Sequence, residues 1–164
     1  MSAPYFSMQR EVALRAEIES WLGTPFLHTG KVKGVGVDCV QLVGQLMLSA
    51  GVVDRYDFGF YPLDWSQHRD RSIIIDYIEA TARFISVDAD RTARFGDIAM
   101  FRIGRCVHHC GVMVSPVVFV HALARGRVCY GRLDDPTWSK RLDSFYRALA
   151  HPTPISPQSA ITNP

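Results

Sequence analysis

The stretch Gly30-Lys31-Val32-Lys33-Gly34-Val35-Gly36-Val37-Asp38-Cys39, followed by Val40-Gln41-Leu42-Val43-Gly44-Gln45-Leu46-Met47-Leu48-Ser49-Ala50, decides how this chain is read. Glycines crowd its first half, the composition of a turn. Leu42, Val43, Leu46 and Met47 recur in its second half at the spacing of one helix face, and Gly51 supplies the stop. Cys39 therefore opens a helix, where unpaired backbone N–H groups favour a thiolate. Asp38, one residue earlier, fits an N-cap. A cysteine inside an apolar run is often no more than a small buried hydrophobe. The rest of the chain has to supply its partners.

Upstream, Leu14, Ile18, Trp21 and Leu22 predict a helix over 8–22 with Ser7 as its N-cap, ended by Gly23-Thr24-Pro25. Downstream, 52–70 shows no period and reads as a long loop, and Ile74, Ile75, Ile78 and Ala82 predict a helix over about 70–84. Beyond residue 95 the texture changes to short β-like runs at 97–102, 107–114, 117–123, 127–131 and 142–149. Helices first and strands second indicate an α+β fold with an antiparallel sheet packed on the helices. Residues 1–150 form one domain in this reading, and 151–164, rich in Pro, Ser and Thr, a mobile tail.

With 164 residues, 48% hydrophobic and 21% charged, the composition is that of an ordinary globular domain. A net charge of +2 and no Lys/Arg-rich cluster argue against a nucleic-acid partner. The apolar runs are shorter than a membrane span, and residues 1–10 lack the features of a signal peptide. The expectation is synthesis in the cytoplasm, no membrane partner, and delivery elsewhere by another route. Cys39, Cys106, Cys110 and Cys129 read as thiols, with Cys106 in a loop and Cys110 and Cys129 buried in strands. The cluster Cys106-Val107-His108-His109-Cys110 does not have zinc-ligand spacing, so no metal or other cofactor is expected.

His109 and His121 lie on two of the β-like runs, twelve residues apart and centred on Ser115. A hairpin with the loop Val114-Ser115-Pro116 would place them directly opposite, with Cβ atoms about 4.5–5.5 Å apart. One imidazole could then deprotonate a thiol while the other orients it. His109 is the candidate base, because Gly111 leaves its strand face open to close approach. A strand histidine alone is more often structural; the pairing is what points to chemistry.

Five strings occur in order between residues 10 and 131: Gly23-Thr24-Pro25-Phe26, Gly34 to Asp38-Cys39, Gly96-Asp97-Ile98, His109-Cys110-Gly111-Val112 and Phe119-Val120-His121-Ala122. Together they resemble the successive motifs of the NlpC family of papain-like bacterial and phage cell-wall peptidases. That resemblance implies Cys39 as nucleophile, His109 as base and His121 as the orienting residue. Asp38 would help hold a substrate amine, with Phe26 and His28 as further substrate-site residues. It implies hydrolysis of a peptidoglycan stem peptide, typically between D-γ-glutamate and a diamino acid. Phe26-Leu27-His28 is similar to a phage-tail or gene-transfer-agent subgroup, which implies particle proteins as partners and delivery to the wall with the particle. Two positions depart from the family: Phe26 replaces a usual tyrosine, and Val40-Gln41 replaces Ser-Gly after the cysteine. Losing a donor at such a site can lower a rate about 10²–10³-fold. The rival readings are a tail-assembly scaffold that keeps the fold without turnover, and a thiol amidase or acyltransferase on another substrate.

Overall fold

A computed structural model of the protein describes residues 4–150. The tail expected over 151–164 lies outside the described residues. Helix α1, Met8–Trp21, starts where the Ser7 hydroxyl accepts the Arg10 N–H, and it buries Leu14, Ile18 and Trp21. Helix α2, Cys39–Ser49, is capped by the Asp38 carboxylate, and it buries Val40, Leu42, Val43, Leu46 and Met47. Gly51, at φ 70°, takes the left-handed conformation that ends it. Helix α3 is Ile73–Ala80, shorter than the expected 70–84. Ser72 caps its start, and at its end Ala82 turns to φ 53° while the Thr81 hydroxyl donates to the Ile78 carbonyl.

Two short strands, β1 (Lys31–Val32) and β2 (Gly36–Val37), pair as a hairpin within the glycine-rich stretch. The main sheet holds β3 (Phe84–Asp88), β4 (Ile98–Ile103), β5 (Cys106–Met113), β6 (Val118–Ala122), β7 (Val128–Arg132) and β8 (Leu142–Ala148). Their order is β3-β8-β4-β5-β6-β7, with every neighbouring pair antiparallel. Strand β3 is absent from the sequence expectation because it lies at a sheet edge and is half-covered at most. Its alternation is confined to the four residues Ile85-Ser86-Val87-Asp88, a short run directly after a helix-like stretch.

Alternation sorts the sheet residues onto two faces. Ile98, Met100, Cys110, Val112, Val120 and Ala122 pack with the helices into the main core. Ala99, Phe101, Met113, Phe119 and Phe145 form a smaller cluster on the other face. Trp138, from the short helix α4 (Pro136–Ser139), packs against that second cluster. Cys106, read as a loop thiol, is instead the fully buried first residue of β5, and its Sγ donates to the Ser66 carbonyl at 3.7 Å.

The β5–β6 hairpin differs from its expected register. Val112 pairs with Val120 and Met113 with Phe119, so the loop is Ser115-Pro116-Val117. The Ser115 hydroxyl accepts the N–H groups of Val117 and Val118, at 3.3 and 3.0 Å. Ser115 therefore opens the turn rather than forming its centre. His109 and His121 consequently stand on a diagonal rather than directly opposite. Because the slip is two residues, both still point to the same face.

Candidate active site

Cys39 is half-buried at the first position of α2. Its Sγ lies 4.0 Å from the carbonyl oxygen of His108, which holds the helix start over the middle of β5. Cys110 faces it from β5, donating from Sγ to the Cys39 carbonyl at 3.5 Å. The Cys39 thiol is held well below its ordinary pKa by hydrogen bonding from Cys110 and by the charge and hydrogen bond of His109, against the opposing effect of burial. Cys110 moves the other way, pushed well up by its bond to Cys39 and by burial. The two shifts run in opposite directions, favouring the charge on Cys39 over Cys110.

His109 is 7% exposed on β5 and His121 is 2% exposed on β6. Their rings meet through His109 Nε2 and His121 Nδ1, 2.9 Å apart. Gly111 makes the approach possible: a Cβ there would come within 2.7 Å of the Val120 carbonyl oxygen and 3.3 Å of the His121 Cβ. The element that needs Gly111 to be small is therefore the neighbouring strand itself. Trp138 stacks on the His109 ring at 5.3 Å between centroids and meets the His121 ring edge-on at 4.8 Å. Phe101 lies against the His109 ring and Phe119 against the His121 ring. An imidazolium against such faces is stabilised by the ring quadrupoles. His108, on the opposite side of β5, instead meets the edge of Trp65.

Burial, and then the charge of His109, depress the His121 pKa to about 3. Unfolded chain would take up this proton near the ordinary histidine pKa, about 6.5. Stability from the neutral His121 is therefore complete above about pH 6.5 and is lost as pH falls toward 3. We expect wild type to lose on the order of 2 kcal/mol more than His121→Gln between pH 7 and about pH 4.5 in urea unfolding. Parallel losses in the two proteins would count against this assignment.

Asp38 belongs to a different network. It is 3% exposed, and its carboxylate accepts the Gln41 N–H at 2.9 Å, the Thr29 N–H at 2.8 Å and the Tyr61 hydroxyl at 2.6 Å. Burial and the adjacent Cys39 charge raise its pKa, and the three donors pull it back down. The carboxylate is turned inward as a helix cap. His28 lies behind it, Nδ1 3.6 Å from Asp38 Oδ2 and Nε2 2.9 Å from the Tyr61 carbonyl. Phe26 is half-buried against the main core, and its N–H donates to the Gly126 carbonyl at 2.9 Å. The structure therefore joins His109 to His121, sets Cys39 against β5 beside His108 and Cys110, ties His28 to Asp38 and Tyr61, and places Phe26 in the packing.

Tyr61 and Trp138 escape sequence reading. Tyr61 lies in the aperiodic 52–70 segment, and Trp138 on a four-residue helix too short to show a period. A Tyr-Pro pair and a Pro-Thr-Trp string mark turns, not partners. Among the described residues, no three His, Cys, Asp or Glu side chains converge as metal ligands.

A profile of the NlpC/P60 family matches residues 23–147. A probable endopeptidase of Haemophilus influenzae is 29% identical over 136 residues, covering 77% of this chain and 68% of that protein. The Escherichia coli K12 protein named murein DD-endopeptidase MepS/murein LD-carboxypeptidase is 33% identical over 57 residues, which are 35% of this chain and 30% of that protein. Among solved structures, an NLP/P60-family protein of Staphylococcus aureus Mu50, described as similar to lipoprotein, superposes with a TM-score of 0.64 at 19% identity. The superposition covers 92% of this chain and 45% of that one. The NlpC/p60 domain of the peptidoglycan hydrolase SagA gives 0.55 at 20% identity, covering 85% of this chain and 98% of that domain. At these identities the structural likeness speaks to the fold.

Proposed function

The chain belongs to the NlpC/P60 family, and from that premise we propose that it is a cysteine peptidase cutting amide bonds in peptidoglycan stem peptides, of the γ-D-glutamyl–diamino acid type. The observation that carries the proposal is the His109–His121 pair on the sheet, beside a helix-start thiol whose pKa Cys110 and His109 depress. Relatives named as an endopeptidase and a murein endopeptidase supply the substrate class.

In this mechanism the Cys39 thiolate attacks the amide carbonyl. The Cys39 N–H, at the first position of α2 with no preceding helical carbonyl to take it, donates to the developing oxyanion. His109 passes a proton to the leaving amine, and water, deprotonated by His109, hydrolyses the thioester. His121 is the third member: its Nδ1 engages His109 Nε2, which leaves His109 Nδ1 to serve the sulfur. Trp138 shields the two imidazoles from water. Phe26 cannot donate to the oxyanion, so the helix start provides that support.

The Phe26-Leu27-His28 string supports delivery on a phage tail or phage-like particle. Antibody detection in purified particles tests that setting. The reaction is tested by mass spectrometry of purified peptidoglycan and of synthetic stem peptides after incubation with the protein. A γ-D-glutamyl cleavage product is the expected result. Cleavage only at the D,D cross-link would move the bond specificity, and an unchanged digest would overturn the reading.

A further inference from the structure

Resting on the peptidase reading, we propose that Cys129 is a positioning residue, the fourth member of the Cys39–His109–His121 line, whose sulfur fixes the tautomer of His121. Cys129 stands directly across from His121 in the β6–β7 ladder, and its Sγ lies 3.7 Å from His121 Nε2. Both ring nitrogens of His121 are thereby engaged, Nδ1 by His109 and Nε2 by Cys129.

The direction of each hydrogen bond follows from the reaction. When His109 has taken a proton from Cys39, both of its ring nitrogens are donors, and Nε2–H needs an acceptor. That acceptor is His121 Nδ1, which must carry a lone pair. Neutral imidazole has a single N–H, so the His121 proton must then lie on Nε2, pointing at the Cys129 sulfur. The opposite tautomer would put a donor on Nδ1 and force the His109 proton onto the nitrogen facing Cys39. A base so protonated cannot accept from the thiol.

Two further features suit Cys129 to the task. Burial pushes its thiol pKa up, with the Arg127 guanidinium opposing, so the sulfur stays a neutral acceptor and places no anion beside His121. Burial and His109 keep His121 itself neutral. The other titratable groups along the line are Cys110 and Asp38, both at the Cys39 end. Around the imidazoles the remaining neighbours are the aromatic rings of Trp138, Phe101 and Phe119.

The test is the pH dependence of Cys39 alkylation by iodoacetate, an anion drawn to the imidazolium beside the thiolate, resolved by peptide mass spectrometry, which needs no substrate. Wild type should show a pH window in which Cys39 reacts as the thiolate of an ion pair with His109. Its lower edge marks loss of the Cys39 proton and its upper edge loss of the imidazolium proton. Cys129→Ala removes the acceptor behind His121 and frees the tautomer that receives the imidazolium proton, so the upper edge should move to lower pH by about half a unit while the lower edge stays in place. Cys129→Ser supplies an oxygen acceptor and should restore the edge. An upper edge unmoved in Cys129→Ala, or a Cys129→Ser edge displaced as far as the alanine variant's, would overturn the proposal. A wild-type Cys39 that reacts as an ordinary thiol at every pH would instead remove the ion pair on which the peptidase reading stands, and this proposal with it. Nitrogen-15 NMR of the unsubstituted protein gives a second readout, independent of variant folding: His121 should be protonated at Nε2, and protonation at Nδ1 would overturn the assignment.

Discussion

Replacing Cys39 with alanine should abolish stem-peptide hydrolysis, with a fall of about 10⁴–10⁶-fold in kcat/KM, the scale seen when a nucleophile is removed from a triad that acts as a unit. The fold should survive. Cys39 is half-buried, so alanine opens little space, and the cap on α2 belongs to Asp38. The thermal midpoint should therefore shift by no more than a few degrees. Cys39→Ser should be nearly as inactive, because a hydroxyl stays protonated where the thiol ionises beside Cys110 and His109. The measurement is product formation followed by mass spectrometry, beside a thermal melt of each variant. Residual hydrolysis within tenfold of wild type would assign the nucleophile elsewhere.

Asp38→Ala should give the largest loss of stability, about 3 kcal/mol, read as a drop of several degrees in thermal midpoint. Alanine removes the N-cap of α2, worth about 1 kcal/mol, and strands the buried Tyr61 hydroxyl and the Thr29 and Gln41 amides. Asp38→Asn keeps a carbonyl oxygen in the cap and removes a charge that burial and Cys39 disfavour. Its cost should be roughly half as large. These outcomes separate two roles for the residue. A buried cap lowers the melting temperature first, whereas a contact to a substrate amine would raise KM with the melt unchanged.

Cys39, His109 and His121 were legible because each sits in a segment with a strong local signal. An apolar helix follows a glycine-rich turn, and two β-like runs flank Ser115-Pro116. The spacing of the histidines gave the shared face but not the pairing. Parity survives a two-residue slip, and the slip depends on whether Ser115 opens or centres its turn. Strand β3 was hidden because its alternation runs for four residues only, Ile85 to Asp88, at a sheet edge with little burial. Tyr61, Trp138 and the partnership of Cys129 with His121 are products of tertiary placement: a loop folded under α2, a four-residue helix laid over a sheet face, and a β6–β7 register. Charge and periodicity carry no information about such meetings.

Strand β8 lies between β3 and β4, although it follows both in the chain. A ribosome that has delivered β3 through β7 has supplied the strands of a β4-β5-β6-β7 sheet, while β3, whose partner in the sheet is β8, has nothing to pair with and β4 presents an open edge. Closure waits for residues 142–148, and with them comes Arg147, whose guanidinium grips the buried Asp97 carboxylate at 2.7 Å and 2.9 Å. Folding is thus tied to the arrival of late sequence, which favours slow, post-translational assembly over stepwise growth from the N-terminus. The strand that joins β3 to the rest of the sheet is thus the last one to be translated.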